Sequence, residues 1–226
     1  MKTLFFFLFC LFHCAFCHAN NDLKSKQLKA IYRMTCQIPS DINEHLPDLK
    51  QLASECSSAV EIGVRSMVST WAILQGLSES PQPYTTYIGI DLVSPLQFVL
   101  KRAENLAHSQ GIDFHFWQGN DMDLDIPVVD MLFIDSLHTY CHLTFELEKF
   151  APKTTKYIAL HDTSEPWGEI DDSQYTGDYS EYAPWIDRSK KGLWLAVVDF
   201  LARHPEWTLH KRKTNNSGFT ILKRIS

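Results

Sequence analysis

Residues 128–163 read VVDMLFIDSLHTYCHLTFELEKFAPKTTKYIALHDT, and this stretch decides the fold. Val128–Asp135 is an apolar run of strand length that ends in Asp135-Ser136-Leu137-His138. A helical period follows over Thr139–Phe150, with Leu143, Leu147 and Phe150 on one face. Tyr157–Leu160 is a second short strand and runs into His161-Asp162-Thr163. A strand, a helix and a strand in this order form a βαβ unit, whose two strands pair in parallel through a right-handed crossover.

The same alternation extends outward. Ala59–Gly63, Tyr84–Asp91 and Phe114–Gln118 read as strands, separated by helices over Met67–Leu77 and Pro95–Ser109, the latter with proline at its start. Upstream, Lys24–Met34 and Ile42–Cys56 have helical periods, and Ser40-Asp41 supplies a cap signal for the second. Downstream, a helix over Leu193–Ala202 precedes Trp207–Arg212 and Phe219–Lys223. These last two strands are joined through Asn215-Asn216-Ser217-Gly218, four turn formers that predict an antiparallel hairpin. The pattern predicts an α/β fold with a doubly wound, mostly parallel sheet and a C-terminal antiparallel hairpin. Thr163–Lys190 lacks periodicity, as a lid, a binding loop or a locally disordered stretch does, and its Trp167, Tyr175, Tyr179, Tyr182 and Trp185 suit either stacking on a substrate or packing the loop down on itself. The expected organisation is an N-terminal segment over 1–19, a helical segment over 20–57 and one domain over 58–226.

Composition narrows the classes. The 226 residues carry 21 Lys+Arg against 27 Asp+Glu, a formal charge of −6, which disfavours a nucleic-acid partner and leaves a small molecule as the expected one. Hydrophobic residues at 45% and charged ones at 21% exclude a disordered or coiled-coil chain. The averages hide a skew, because six of the 14 Phe and three of the six Cys fall in the first 17 residues. Lys2, the apolar run Leu4–Cys17 and the small residue Ala19 match a secretory signal peptide, which implies a secreted or periplasmic protein. Lys24, Lys26, Lys29 and Arg33 after the run support the alternative of an uncleaved anchor facing the cytoplasm, the chain's only expected membrane contact. Cys36, Cys56 and Cys141 have no framework spacing, so no disulfide scaffold is expected.

Ligands of open parallel sheets bind beyond the carboxyl ends of the strands. The first strand ends in Glu61-Ile62-Gly63 and the second in Gly89-Ile90-Asp91. An acid some 20–30 positions after a glycine turn suits the diol of a ribose. Asp135, His161 and Asp162, at adjacent strand ends, form a donor set for a divalent ion. Oxygen-rich ligation favours Mg²⁺, and the imidazole admits Mn²⁺, Fe²⁺ or Zn²⁺. His138, three residues after Asp135, is the candidate general base.

Together, Glu61-Ile62-Gly63, Gly89-Ile90-Asp91, Asp135-Ser136-Leu137-His138-Thr139-Tyr140 and Tyr157-Ile158-Ala159-Leu160-His161-Asp162-Thr163 resemble class I S-adenosylmethionine-dependent methyltransferases. The nearest subgroup is the metal-dependent one that includes cephalosporin-hydroxylase-like and macrolide-sugar O-methyltransferase proteins. The resemblance covers about Ser57 to Arg224 and implies a Rossmann-like seven-stranded sheet with its last strand antiparallel. It implies that Glu61 and Gly63 bound the methionine end of S-adenosylmethionine, that Asp91 holds the ribose, and that Asn120 and Asp121 lie near the adenine. It makes Asp135, His161 and Asp162 the positions for Mg²⁺ or Mn²⁺, and His138 the base for O-methylation of a small hydroxylated substrate.

Three features depart from the family pattern. Met67-Val68 stand where glycines commonly continue the first loop, His161 stands where an acid is frequent, and Cys141 replaces a polar residue. Two other functions fit the same residues: an exported non-catalytic binding protein on this fold, or a metal-dependent enzyme of other chemistry.

Overall fold

A computed structural model describes residues 22–225, so the expected signal or anchor over 1–19 lies outside the described residues. The described chain begins with helix α1 over residues 22–37 and continues with α2 (Leu46–Ser54), β1 (Ser58–Ile62), α3 (Val68–Glu79) and β2 (Thr85–Asp91). Then come α4 (Gln97–Ser109), β3 (Ile112–Gln118), β4 (Val129–Ile134), α5 (Tyr140–Phe150) and β5 (Thr154–His161). Helix α6 (Leu193–Arg203) and the strands β6 (Trp207–Lys213) and β7 (Phe219–Arg224) complete it.

The strands form one seven-stranded sheet in the order β3-β2-β1-β4-β5-β7-β6. β1 to β5 are mutually parallel, whereas β7 is antiparallel to both β5 and β6. This is the predicted doubly wound sheet with its terminal hairpin.

Period-two alternation divides the core. In β4, Met131 and Phe133 join a cluster with Leu49 and Leu52 of α2 and Trp71 of α3. Leu132 and Ile134 point the other way, to Leu143 and Leu147 of α5 and Phe200 of α6. A central strand covered by helices on both faces is apolar on both, which is why β4 carries the unbroken run Met131–Ile134.

The boundaries differ from expectation where local chemistry intervenes. The helix expected from Ile42 starts at Leu46, with proline in its first turn. Ser40 caps a preceding turn instead, its Oγ accepting from the Asn43 amide at 3.0 Å. Helix α4 begins after Pro95 rather than at it. Thr139 is the cap of α5, its Oγ1 accepting from the His142 amide at 3.2 Å. The 163–190 segment contains no helix or strand, yet Tyr175 and Tyr179 bring their rings within 6.2 and 6.1 Å of Phe145. Cys36, Cys56 and Cys141 are all free thiols.

Gly63 closes the turn after β1 at φ +87°, and a Cβ there would stand 1.9 Å from the Asp135 carbonyl oxygen. Gly111 has a similar φ of +77° but open space around it. Alanine at either position meets the same dihedral cost, so the pair isolates the clash. Gly63→Ala is expected to lose about 2 kcal/mol or more in urea unfolding, and Gly111→Ala about 1 kcal/mol. Equal losses would show that the backbone contact is readily relieved.

Candidate active site

A cavity of about 560 Å³ lies beyond the carboxyl ends of β1, β2 and β4. Gly63, Asp91, Asn120, Asp121 and Asp135 line it from the strand ends, and Tyr175 and Tyr179 wall it from the long loop. Asp91 accepts from the Arg65 amide at 2.7 Å and from the Val93 amide at 2.9 Å, which fixes its carboxylate at the rim. Asn120 donates to the Tyr179 hydroxyl at 2.7 Å and so ties the loop to the end of β3.

Glu61 is not part of the wall. It is fully buried and accepts hydrogen bonds from Ser69, Thr70 and Tyr87. Burial pushes its carboxyl up to about 7 against the lowering effect of those three hydroxyls. Its observed contacts link β1, α3 and β2 beneath the Gly63 turn.

Asp135, His161 and Asp162 meet as the spacing predicts. His161 Nδ1 lies 3.2 Å from Asp135 Oδ1 and 3.1 Å from Asp162 Oδ2. The other ring nitrogen, Nε2, faces backbone carbonyls, that of Asp41 at 2.9 Å. A carbonyl only accepts, so Nε2 carries a proton. Nδ1 then presents either a second proton or a lone pair to the two carboxylates. The same three groups therefore suit an ion-paired imidazolium or a divalent cation, with the His161 ring oriented in either case by the Asp41 carbonyl.

His138 is held between two carboxylates. Its Nε2 lies 2.9 Å from Asp162 and its Nδ1 lies 3.1 Å from Asp172, while the ring stacks on Trp167. It sits beside the main cavity, not in its wall. Burial alone would lower its pKa, but Asp162, Asp135 and Asp172 outweigh that and raise it. For His161 burial again opposes, and Asp135 and Asp162 push the imidazole up to about 10. Asp162 is itself held well below the carboxylate range by His138 and His161, despite its burial.

Three contributors have no signal in the sequence pattern. Asp172 comes from the aperiodic loop, and Asp41 offers only its backbone carbonyl to His161. Arg65 lines the cavity, with its guanidinium 2.6 Å from the Asp41 carboxylate. A fourth feature was readable: His142 and Glu146 are four apart on α5 and meet Asp121.

No family model matches the sequence, and no curated protein matches it either. Solved structures do. Cofactor-bound Rv0187 from MTB aligns at a TM-score of 0.56 and 13% identity, over 89% of each chain. An O-methyltransferase from Bacillus cereus in complex with SAH aligns at 0.53 and 12%, over 89% of this chain and 90% of that one. The O-methyltransferase TomG from Streptomyces achromogenes, in complex with SAM and involved in tomaymycin synthesis, aligns at 0.50 and 13%, over 90% of each. The chain has a Rossmann-like methyltransferase fold. At these identities the likeness is one of fold, and the chemistry rests on the site.

The charge pattern predicts a pH dependence in metal-free protein. His161 rises from an ordinary value of 6.5 to about 10, so its stabilisation is fully present below pH 6.5 and is lost as pH climbs through 10. Asp162, depressed from 3.8, stabilises above that value, and its contribution is lost in acid. His161→Gln should therefore destabilise the protein by about 3 kcal/mol near pH 6, and the difference from wild type should shrink towards pH 10. Urea unfolding across that range measures it, and a constant difference would refute the paired imidazolium.

Proposed function

We propose that the protein is an S-adenosylmethionine-dependent O-methyltransferase acting on a small hydroxylated substrate. The observation that carries this reading is the cavity itself, a space of ligand size at the carboxyl edge of β1 and β2, with an acid at its rim and a cation-type cluster beside it. The SAM and SAH complexes of proteins with the same fold support it. The residues fit the cofactor, because the Gly63 turn lines the cavity and Asp91 presents a fixed carboxylate for a diol.

S-adenosylmethionine, when bound, supplies an electrophilic methyl group. A divalent ion held by Asp135, His161 and Asp162 would supply positive charge that acidifies a substrate hydroxyl. Asp172 holds the Nδ1 edge of His138 and Asp162 its Nε2 edge, so His138 takes the hydroxyl proton at Nε2 only once that nitrogen turns from Asp162 to the substrate. That role needs the neutral ring, and the surrounding carboxylates delay its appearance. Activity should thus rise with pH, with a limb above the ordinary histidine value of 6.5. Tyr175 and Tyr179 wall the cavity from the loop side.

Calorimetric titration with S-adenosylmethionine tests the first step, and absence of heat at millimolar cofactor would reject the reading. Asp91→Ala should weaken binding roughly 10–100-fold, the worth of hydrogen bonds to a charged group. His138→Ala should leave binding within about twofold and reduce kcat about 10²–10⁴-fold. We further propose that Leu4–Cys17 directs export, supported by the apolar run before Ala19. The intact mass of the native protein would then lack about the first 19 residues, whereas an intact terminus in the membrane fraction would select the anchor.

A further inference from the structure

A second polar cluster, two of whose members also line the cavity, is given no chemical step in the proposed methyl transfer. Asp121 follows β3, while His142 and Glu146 stand one turn apart on α5. Each offers a donor atom, and these atoms lie within 4.8 Å of one another. Glu146 is fully buried, and Asp121 and His142 are only 8% and 6% exposed. Such burial is costly for two acids unless their charge is met.

The spacing is not that of a finished hydrogen-bond network. His142 Nε2 is 3.6 Å from Asp121 Oδ1 and 3.6 Å from Glu146 Oε1, too far for a hydrogen bond to either. Oδ2 of Asp121 and Oε2 of Glu146 are both buried without any partner. Donors about 2.1 Å from a tetrahedral centre are roughly 3.4 Å apart, close to the separations seen. The outer contacts are already in place. Ser136 donates to Glu146 Oε1 at 2.6 Å, and His142 Nδ1 lies 3.1 Å from the Tyr175 hydroxyl, a partner able to receive its proton and leave Nε2 bare.

We infer that Asp121, His142 and Glu146 form a second divalent-cation site, distinct from the Asp135 cluster, which takes a transition ion of the Zn²⁺ class. Two carboxylates and an imidazole cancel a double charge and suit such an ion better than Mg²⁺, which prefers an all-oxygen shell. Asp121 and His142 also line the cavity, so the ion has an entry path. Its mechanical effect follows from the connections. It clamps α5 to the turn after β3 and, through Tyr175, holds down the long loop that walls the cavity.

The competing occupant is a proton. Burial and the neighbouring Asp121 keep the Glu146 carboxyl protonated up to about 8, and a proton shared between the two acids would fill part of the gap. Titration with Co²⁺ as a spectroscopic probe separates them. The full chain carrying Asp135→Asn and Asp162→Asn lacks the carboxylates of the other cluster. It should still take up one equivalent of Co²⁺ with visible d–d bands and gain thermal stability. Adding Glu146→Gln should weaken that uptake at least about 10–100-fold while leaving the far-UV circular dichroism unchanged. No uptake by the double variant, or uptake indifferent to Glu146→Gln, would overturn the site in favour of the proton. Should Glu146→Gln lose its fold, His142→Asn replaces it with the same expectation and the same refuting result. None of these readouts depends on methyl transfer, so failure of that reading leaves this one standing.

Discussion

The approach of Gly63 to the Asp135 carbonyl is the contact on which the site depends. β1 is an interior strand, with β2 and β3 on one side and β4, β5, β7 and β6 on the other, so the chain departs from it where the strand order reverses. The Gly63 amide donates to Ile90 at 2.9 Å and the Asp135 amide donates to Ile62 at 2.9 Å, so the three strand ends are stitched in one layer. A bare backbone at Gly63 lets that layer close. Asp135 then falls within reach of His161, and Asp91 within reach of the Arg65 amide. Any side chain at position 63 would part the two loops and with them the cavity wall from the cation cluster.

Once the layer is closed, the fold has to accommodate several buried acids, and it does so by different means. Glu61 receives three hydroxyl donors and no cation, and its carboxyl is pushed up to about 7. Asp162 receives two imidazoles and remains ionised. Glu146 receives one hydroxyl and one distant imidazole, too little to hold a buried charge. The degree of satisfaction sorts them. Glu61 braces the sheet, Asp162 belongs to a charged site, and Glu146 is the acid whose shell is incomplete.

The difference between what was and was not legible in the sequence follows from range. The strands were visible because a sheet buried on both faces imposes long apolar runs, and their polar ends mark the carboxyl edge. Asp135, His161 and Asp162 could be grouped because β4 and β5 are adjacent both in the chain and in the sheet. Loop contributions were not visible. Asp172 reaches His138 from a segment without periodicity, and Asp41 contributes a backbone carbonyl that no residue type announces. Glu61 was located correctly on its strand, but its environment depends on hydroxyls from α3 and β2, which periodicity does not reveal. Ser40 shows the limit of local signals, since a cap residue serves a turn as well as a helix.

The loop after β1 makes the last point, because the conformation expected of glycines is present without them. Arg65 and Met67 occupy left-handed backbone, at φ 44° and 67°. Each such residue costs about 1–2 kcal/mol. Met67 offsets this by complete burial among α3 and its neighbours, a gain of roughly 1.5–3 kcal/mol. Its side chain therefore leaves the cavity clear and anchors the loop. Arg65 is secured differently, by its amide on Asp91 and its guanidinium on Asp41, and it does remain in the wall. The constraint on this turn is thus the direction of the backbone, and glycine is one of several ways to meet it. At Gly63, where the opposing atom is a backbone carbonyl 1.9 Å from any Cβ, no other residue does.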